Sequence, residues 1–145
     1  MNDETMERAS QLMNSSLPGD VQLGIDIVKH LFEKADPLAV YAMGTWHLHG
    51  AHGFPLNQER GVELIAMAAK RGVVDAVCDY AYSLEQGVGI EKSRHEALGY
   101  YLLATLLGDP DALHDLARCF DDGIGIRRNK ELAGLLFELY GKRNG

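Results

Sequence analysis

The sequence repeats itself about every 36 residues, and this period constrains the fold more than any other feature. The clearest unit is 73–108, where two apolar series at helical spacing end at Gly87 and Gly108. Shifting its landmarks by one period in either direction finds equivalent small and apolar residues in 36–72 and 109–145. Two short amphipathic helices cannot bury their apolar faces alone. The period therefore predicts a stack of helix pairs in which each unit covers its neighbours.

Small, glycine and aromatic residues keep the same order in each unit. In 73–108 they are Ala76, Ala81, Gly87, Gly89, Ala97, Tyr100, Tyr101, Ala104 and Gly108. In 109–145 they are Ala112, Leu116, Phe120, Gly123, Gly125, Asn129, Ala133 and Phe137. This order resembles the Sel-1-like repeats, which are relatives of the tetratricopeptide repeat. The resemblance implies an all-α fold, a right-handed α-α solenoid of three Sel-1-like repeats.

Residues 1–35 fit the repeat pattern only in part. Residues 21–35 resemble the second helix of a repeat, with Gly24 and Leu31 aligned to Gly61 and Ala68. A stacked array needs an atypical end unit, because its terminal face would otherwise expose apolar side chains. We therefore expect a single domain over 1–145, with 1–35 as a degenerate N-terminal capping repeat and repeats at 36–72, 73–108 and 109–145.

Composition restricts the partner and the location. The 145 residues are 46% hydrophobic, which is enough for a continuous core. The net charge of −7 disfavours nucleic acid and favours a basic protein surface as the partner. The polar first ten residues are not a secretory signal, and no run approaches the roughly 18 apolar residues of a membrane span. Cys78 and Cys119 lie one register step apart in equivalent helices, so we expect free thiols and a cytoplasmic protein.

Three histidines, His47, His49 and His52, make a metal-dependent enzyme the alternative to be weighed. His47 and His49 are two residues apart on a predicted helix and point about 200° from each other, which opposes joint ligation. His47 also takes the tyrosine position of its repeat. No nucleophile, base and orienting residue form a recognisable motif elsewhere in the chain. We expect no catalytic residue, no metal and no cofactor.

The first helix of each repeat carries the candidate protein-binding residues. By analogy with tetratricopeptide stacks, these helices line the concave face, with positions beside the core slots pointing into it. The resulting set is Tyr41, His49, Asp75, Tyr82, Glu85, Asp111, His114, Arg118, Asp121 and Asp122. We expect Glu85 and Asp121 to be exposed. Acidic residues outnumber basic ones in the set, and tyrosines are suitable anchors, which favours a basic protein partner.

The predicted last helix, from about Glu131 to Tyr140, is apolar around more of its circumference than one neighbour covers. Leu135 and Leu139 are therefore expected to remain exposed. An uncovered leucine pair favours association. We expect these residues to form an interface, either with a second copy in a homodimer or with the partner.

Together these features favour a non-catalytic protein–protein interaction module. The preferred role is a small stoichiometric inhibitor, such as a bacterial immunity (antitoxin-like) protein that masks a basic toxin. A regulatory adaptor or scaffold is the alternative. The alternative of another class is the metal-dependent enzyme built on residues 47–52.

Overall fold

The computed structural model describes residues 4–145, and this part of the chain contains eight α-helices and no strand. The helices are α1 (Met6–Met13), α2 (Asp20–Glu33), α3 (Pro37–His49), α4 (Gln58–Lys70), α5 (Val74–Gln86), α6 (Arg94–Leu106), α7 (Ala112–Asp122) and α8 (Lys130–Asn144). Consecutive helices pack in pairs, α1 with α2, α3 with α4, α5 with α6 and α7 with α8. The first three residues of the predicted cap lie outside the described residues. Over residues 4–145, every helix is too short or too polar to cross a membrane.

The helix boundaries follow from residues that recur once per repeat. Asn57, Ser93 and Asn129 stand one period apart, and each side chain accepts a hydrogen bond from the first turn of α4, α6 or α8. These caps satisfy backbone N–H groups that have no partner inside the helix. On the other side of the turn, the preceding helices α5 and α7 end at Gly87 and Gly123, both in the left-handed conformation that glycine adopts without strain. The period of the sequence thus sets where the turn inside a helix pair begins and ends.

The first compact unit, Met1–Arg71, contains α1 to α4. Helices α3 and α4 approach each other closely at Gly44 and Gly61. A Cβ atom on Gly61 would lie 2.8 Å from the Gly44 carbonyl oxygen, and one on Gly44 would lie 2.9 Å from Cγ1 of Ile65. Neither position has room for a side chain, so the two glycines set the distance between these helices.

The second compact unit, Gly72–Gly145, contains α5 to α8. Its core includes a cluster made by Ala81, Leu84, Ala97, Tyr101, Cys119 and Ile124. Ile124 stands between two glycines in the turn after α7, and its side chain is buried. A Cβ atom on Gly125 would overlap the carbonyl oxygen of Arg94 at the start of α6. In this turn the Gly-x-Gly therefore serves packing.

Candidate protein-binding face

Helices α5 and α7 present one continuous surface in the second unit. Asp75, Cys78 and Tyr82 follow one another at spacings of three and four residues, which places them on one side of α5. On α7 the same rule groups Asp111, Asp115, Arg118 and Asp122. The two rows meet where the Sγ atom of Cys78 lies 3.9 Å from Oδ2 of Asp115. We call these seven residues the α5–α7 face.

A buried carboxylate, Glu85, lies at the junction of α5, α6 and α7. Its side chain accepts hydrogen bonds from both terminal nitrogens of Arg118, at 2.7 and 2.8 Å, and from the Tyr101 hydroxyl at 2.7 Å. The hydrogen bonds from Arg118 hold the pKa of Glu85 below its usual range, although burial acts in the opposite direction. The paired charges thus fix the side chains of α5 and α7 relative to each other.

The prediction that Glu85 is exposed is wrong, because only 4% of the residue is accessible. Its position on α5 directs it towards Tyr101 of α6 and Arg118 of α7, which together enclose the carboxylate. Tyr101 is not among the residues that the sequence predicts for the site. Its only signal in the sequence is the aromatic position of the repeat, which indicates packing and gives no sign of a hydrogen bond to Glu85.

The α5–α7 face carries excess negative charge around a single cation. Arg118 also reaches Asp115, with Nη2 and Oδ1 3.5 Å apart, so one guanidinium stands between two carboxylates. Burial raises the pKa of Asp115, although Arg118 acts in the opposite direction. Asp75 and Asp122 add two exposed acidic groups. A cation from another molecule would therefore meet a favourable potential here.

Tyr82 is the large apolar group of the α5–α7 face, and 56% of it is exposed. An exposed tyrosine beside carboxylates offers a ring for apolar contact and a hydroxyl for hydrogen bonding. Burial and nearby acidic groups raise the pKa of the neighbouring Cys78 thiol to about 12, which disfavours the nucleophilic thiolate at neutral pH. The face is therefore suited to contact rather than covalent chemistry.

Two predicted members of the site lie towards α8 and away from Cys78. The His114 ring contacts those of Phe137 and Tyr140, with centroids 5.3 and 5.2 Å apart. Asp121 forms an ion pair with Lys130, with Oδ1 and Nζ 2.9 Å apart. Both side chains contribute to the contact between α7 and α8. The side chain of Asp121 is 36% exposed, so this carboxylate is less accessible than the sequence predicts.

The remaining predicted contact residues, Tyr41 and His49, belong to the first unit. Tyr41 is half-buried on α3, and His49 is exposed in the last turn of the same helix. The nearby His47 and His52 make aromatic contacts, His47 with Phe54 and His52 with Trp46. Within residues 4–145, no three His, Cys, Asp or Glu side chains form a group suited to a metal ion.

Leu135 and Leu139 lie one turn apart on α8 and are 54% and 51% exposed. On the buried side of the same helix, Ala133 is fully enclosed and Phe137 contacts His114 of α7. Exposed glutamates, Glu131 and Glu138, also lie on this helix. The outer side of α8 is therefore a mixture of leucines and charges.

The family profile of the Sel1 repeat matches three successive segments, residues 37–73, 74–109 and 110–139. The chain belongs to the Sel1 repeat family. Sel1 repeats generally serve as protein–protein interaction modules, and the fold is typically a non-catalytic scaffold. The matched segments run from the start of α3 to residue 139, inside α8, whereas α1 and α2 are unmatched.

Solved structures of two Sel1-type proteins share the fold. A Sel1 repeat protein from Oxalobacter formigenes is 20% identical with a TM-score of 0.82, and 97% of this chain aligns with 57% of that one. A protective antigen of uropathogenic Escherichia coli strains with an SLR fold is 18% identical with a TM-score of 0.83. In that comparison, 97% of this chain aligns with 29% of the antigen. The chain thus spans between about a third and just over half of these relatives. The matches confirm the predicted all-α solenoid of Sel1-like repeats. No curated protein matches the sequence.

Proposed function

We propose that this chain is a non-catalytic protein-binding module that captures a basic segment of a partner protein on its α5–α7 face. The observation that carries the proposal is an exposed tyrosine, Tyr82, on the same face as carboxylates that outnumber the cations. A lysine or arginine of the partner would be attracted to Asp75, Asp115 and Asp122. Tyr82 would supply apolar contact and a cation–π interaction.

Within this function, the role that we propose is a stoichiometric inhibitor, such as a bacterial immunity (antitoxin-like) protein that masks a basic toxin. The sign of the charge supports it, because proteins that act on nucleic acids carry basic sites that an acidic surface can cover. A regulatory adaptor is the alternative and would leave its partner's activity intact. The free thiols of Cys78 and Cys119 support a reducing, cytoplasmic location.

A random peptide library displayed on phage and selected on the intact chain tests the binding proposal. We expect the selected peptides to be rich in arginine and lysine. A face variant with Asp75→Lys, Tyr82→Ala and Asp122→Lys should weaken their affinity at least about tenfold, because like charges would meet and the aromatic anchor would be lost. All three residues are exposed, so the variant should remain folded.

A second variant, Glu91→Lys with Glu138→Lys, is the matched control. It changes the net charge by the same amount at exposed positions of the second unit outside the α5–α7 face. We expect it to bind the selected peptides as the wild type does. Equal weakening in both variants would attribute binding to net charge and contradict the proposed face. Selected peptides without basic enrichment would contradict the basic partner.

Co-expression with the product of the adjoining gene separates the two roles. If that product is a basic toxin, the wild-type chain should restore growth and the face variant should not. Restored growth with both forms would contradict inhibition through this face. A partner that binds the chain and keeps its activity in the complex would favour the adaptor.

A further inference from the structure

Beyond its first turn, helix α6 has an outer face made of leucine and glycine. Its inner side, Ala97, Tyr101 and Ala104, is at most 1% exposed. At 100° per residue, Leu106 lies opposite this stripe, flanked by Leu102 and Leu103. These three leucines are 75%, 46% and 40% exposed, and Leu107 at the end of the helix is 46% exposed. We call the four leucines and Gly99 the α6 ridge.

The α6 ridge differs from the outer faces of the other second helices. Those helices carry exposed charged groups: Asp26, Lys29 and Glu33 on α2; Glu59, Glu63 and Lys70 on α4; Glu131, Glu138, Lys142 and Arg143 on α8. In contrast, no Asp, Glu, Lys, Arg or His occurs from Ala97 to Gly108. The exposed charged or titratable residues of α6, Arg94, His95 and Glu96, all lie in its first turn. Among the second helices of the repeats, α6 alone lacks charges beyond the first turn, where they would keep such a face in water.

The spacing of the α6 ridge indicates what would cover it. Gly99, Leu102 and Leu106 follow at intervals of three and four residues, the spacing of a seam between two packed helices. A Cβ atom on Gly99 would meet nothing within 4 Å, so this part of the seam is open to a close neighbour. The complementary surface is therefore another apolar helix.

We propose that the α6 ridge packs against the α6 ridge of a second copy of this chain, about a twofold axis. A net charge of −7 makes two copies repel, so a contact between copies is least unfavourable at a surface without charge, and the α6 ridge is such a surface. A twofold contact brings the same patch together from both sides, and an uncharged ridge is complementary to itself. The basic partner of the α5–α7 face would gain no electrostatic attraction here.

Light scattering on the intact chain across a wide concentration range tests the dimer. We expect the wild type to reach the mass of two copies. The double variant Leu102→Glu with Leu106→Glu should have the mass of one copy, because four acidic groups would meet across the axis. We expect the dissociation constant of the dimer to rise at least about 100-fold. Leu106→Glu alone, at the most exposed leucine, repeats the test with the least effect on folding.

The matched control is Leu135→Glu with Leu139→Glu on α8. It makes the same chemical change at leucines of similar exposure, and it tests the interface that the sequence predicts on the last helix. We expect this variant to remain a dimer, and circular dichroism should show all variants folded. A monomeric wild type, a dimer that survives the α6 substitutions, or a dimer that dissociates on the α8 substitutions would overturn the proposal.

Discussion

At the scale of single residues, Glu85 orders the α5–α7 face without being available to a partner. Its carboxylate is enclosed by Arg118 and Tyr101, and the guanidinium of Arg118 then extends to Asp115. A buried charge of this kind is costly once its partner is removed. Substitutions in the network therefore act first on stability, whereas substitutions at the exposed Tyr82 act on binding.

The first prediction concerns the network itself. Replacing Arg118 with Ala should lower the free energy of unfolding by about 3–5 kcal/mol at most, because the Glu85 carboxylate would remain buried without its ion pair. Partial exposure of the arginine will reduce this figure. Arg127→Ala, at an exposed position in the turn after α7, is the control and should change the value by less than about 0.5 kcal/mol. Urea denaturation measures both, and similar values for the two variants would contradict the role of the network.

The second prediction is a pH dependence. The pKa of Glu85 is lowered in the folded state, chiefly by hydrogen bonds from Arg118, so its carboxylate stabilises the fold above the ordinary value of 4.5. That stability is lost as the pH falls through the lowered pKa. The difference in unfolding free energy between wild type and Glu85→Gln should therefore shrink as the pH falls below about 4.5. Asp115 and Arg94 act electrostatically on Glu85, but both proteins contain them, so the comparison isolates the Glu85 carboxylate. A difference in unfolding free energy that stays constant down to about pH 3 would contradict the assignment of this pH dependence to Glu85.

At the scale of helices, glycine has opposite effects at different positions. In the first unit, Gly44 and Gly61 allow α3 and α4 to touch backbone to backbone. In the second unit, Gly134 lies in the interior of α8, and a Cβ atom added to it would meet nothing within 4 Å. An alanine would clash at the first site, whereas at the second it would favour the helix.

These environments predict opposite signs for the same substitution. Gly44→Ala should lower the free energy of unfolding by about 1–3 kcal/mol, because the added methyl would press on Ile65 and the Gly61 carbonyl. Gly134→Ala should raise it by about 0.5–1 kcal/mol through helix propensity. Chemical denaturation of the two variants beside the wild type measures both. A stabilised Gly44→Ala protein would show that α3 and α4 pack less closely than the structure indicates.

The sequence predicts the helices well because their signals are local and recur with the repeat. Asn57, Ser93 and Asn129 start equivalent helices, and the apolar period between such caps predicts a packed face. The environment of Glu85 could not be predicted in the same way. Whether a carboxylate near a helix end is exposed depends on which side chains of the next repeat reach it, and Arg118 lies 33 residues away.

At the scale of the whole molecule, the negative charge is distributed unevenly over the surfaces of the second unit. The α5–α7 face concentrates carboxylates beside Tyr82, whereas the α6 ridge has none. The two surfaces suit different contacts, one electrostatic and one apolar. Since they involve different residues, loss of one contact should leave the other measurable.

Salt provides the prediction at this scale. Raising the ionic strength should weaken the binding of library-selected basic peptides, because mobile ions screen the exposed carboxylates. The proposed contact at the α6 ridge should persist or strengthen, since it contains no charge and burial of apolar surface drives it. Titration calorimetry measures the peptide binding and light scattering measures the contact between copies, each at low and high salt. Peptide binding that does not respond to salt would contradict an electrostatic face.

Backbone amide chemical shifts can locate the peptide contact residue by residue, which makes them the sharpest test of the α5–α7 face. A library-selected basic peptide is titrated into the isotopically labelled wild-type chain. We expect the largest shifts in α5 and α7, around Asp75, Tyr82 and Asp115, and we expect them to disappear in the face variant. Shifts centred on the outer side of α8, or in the first unit with α5 and α7 unchanged, would contradict binding at this face.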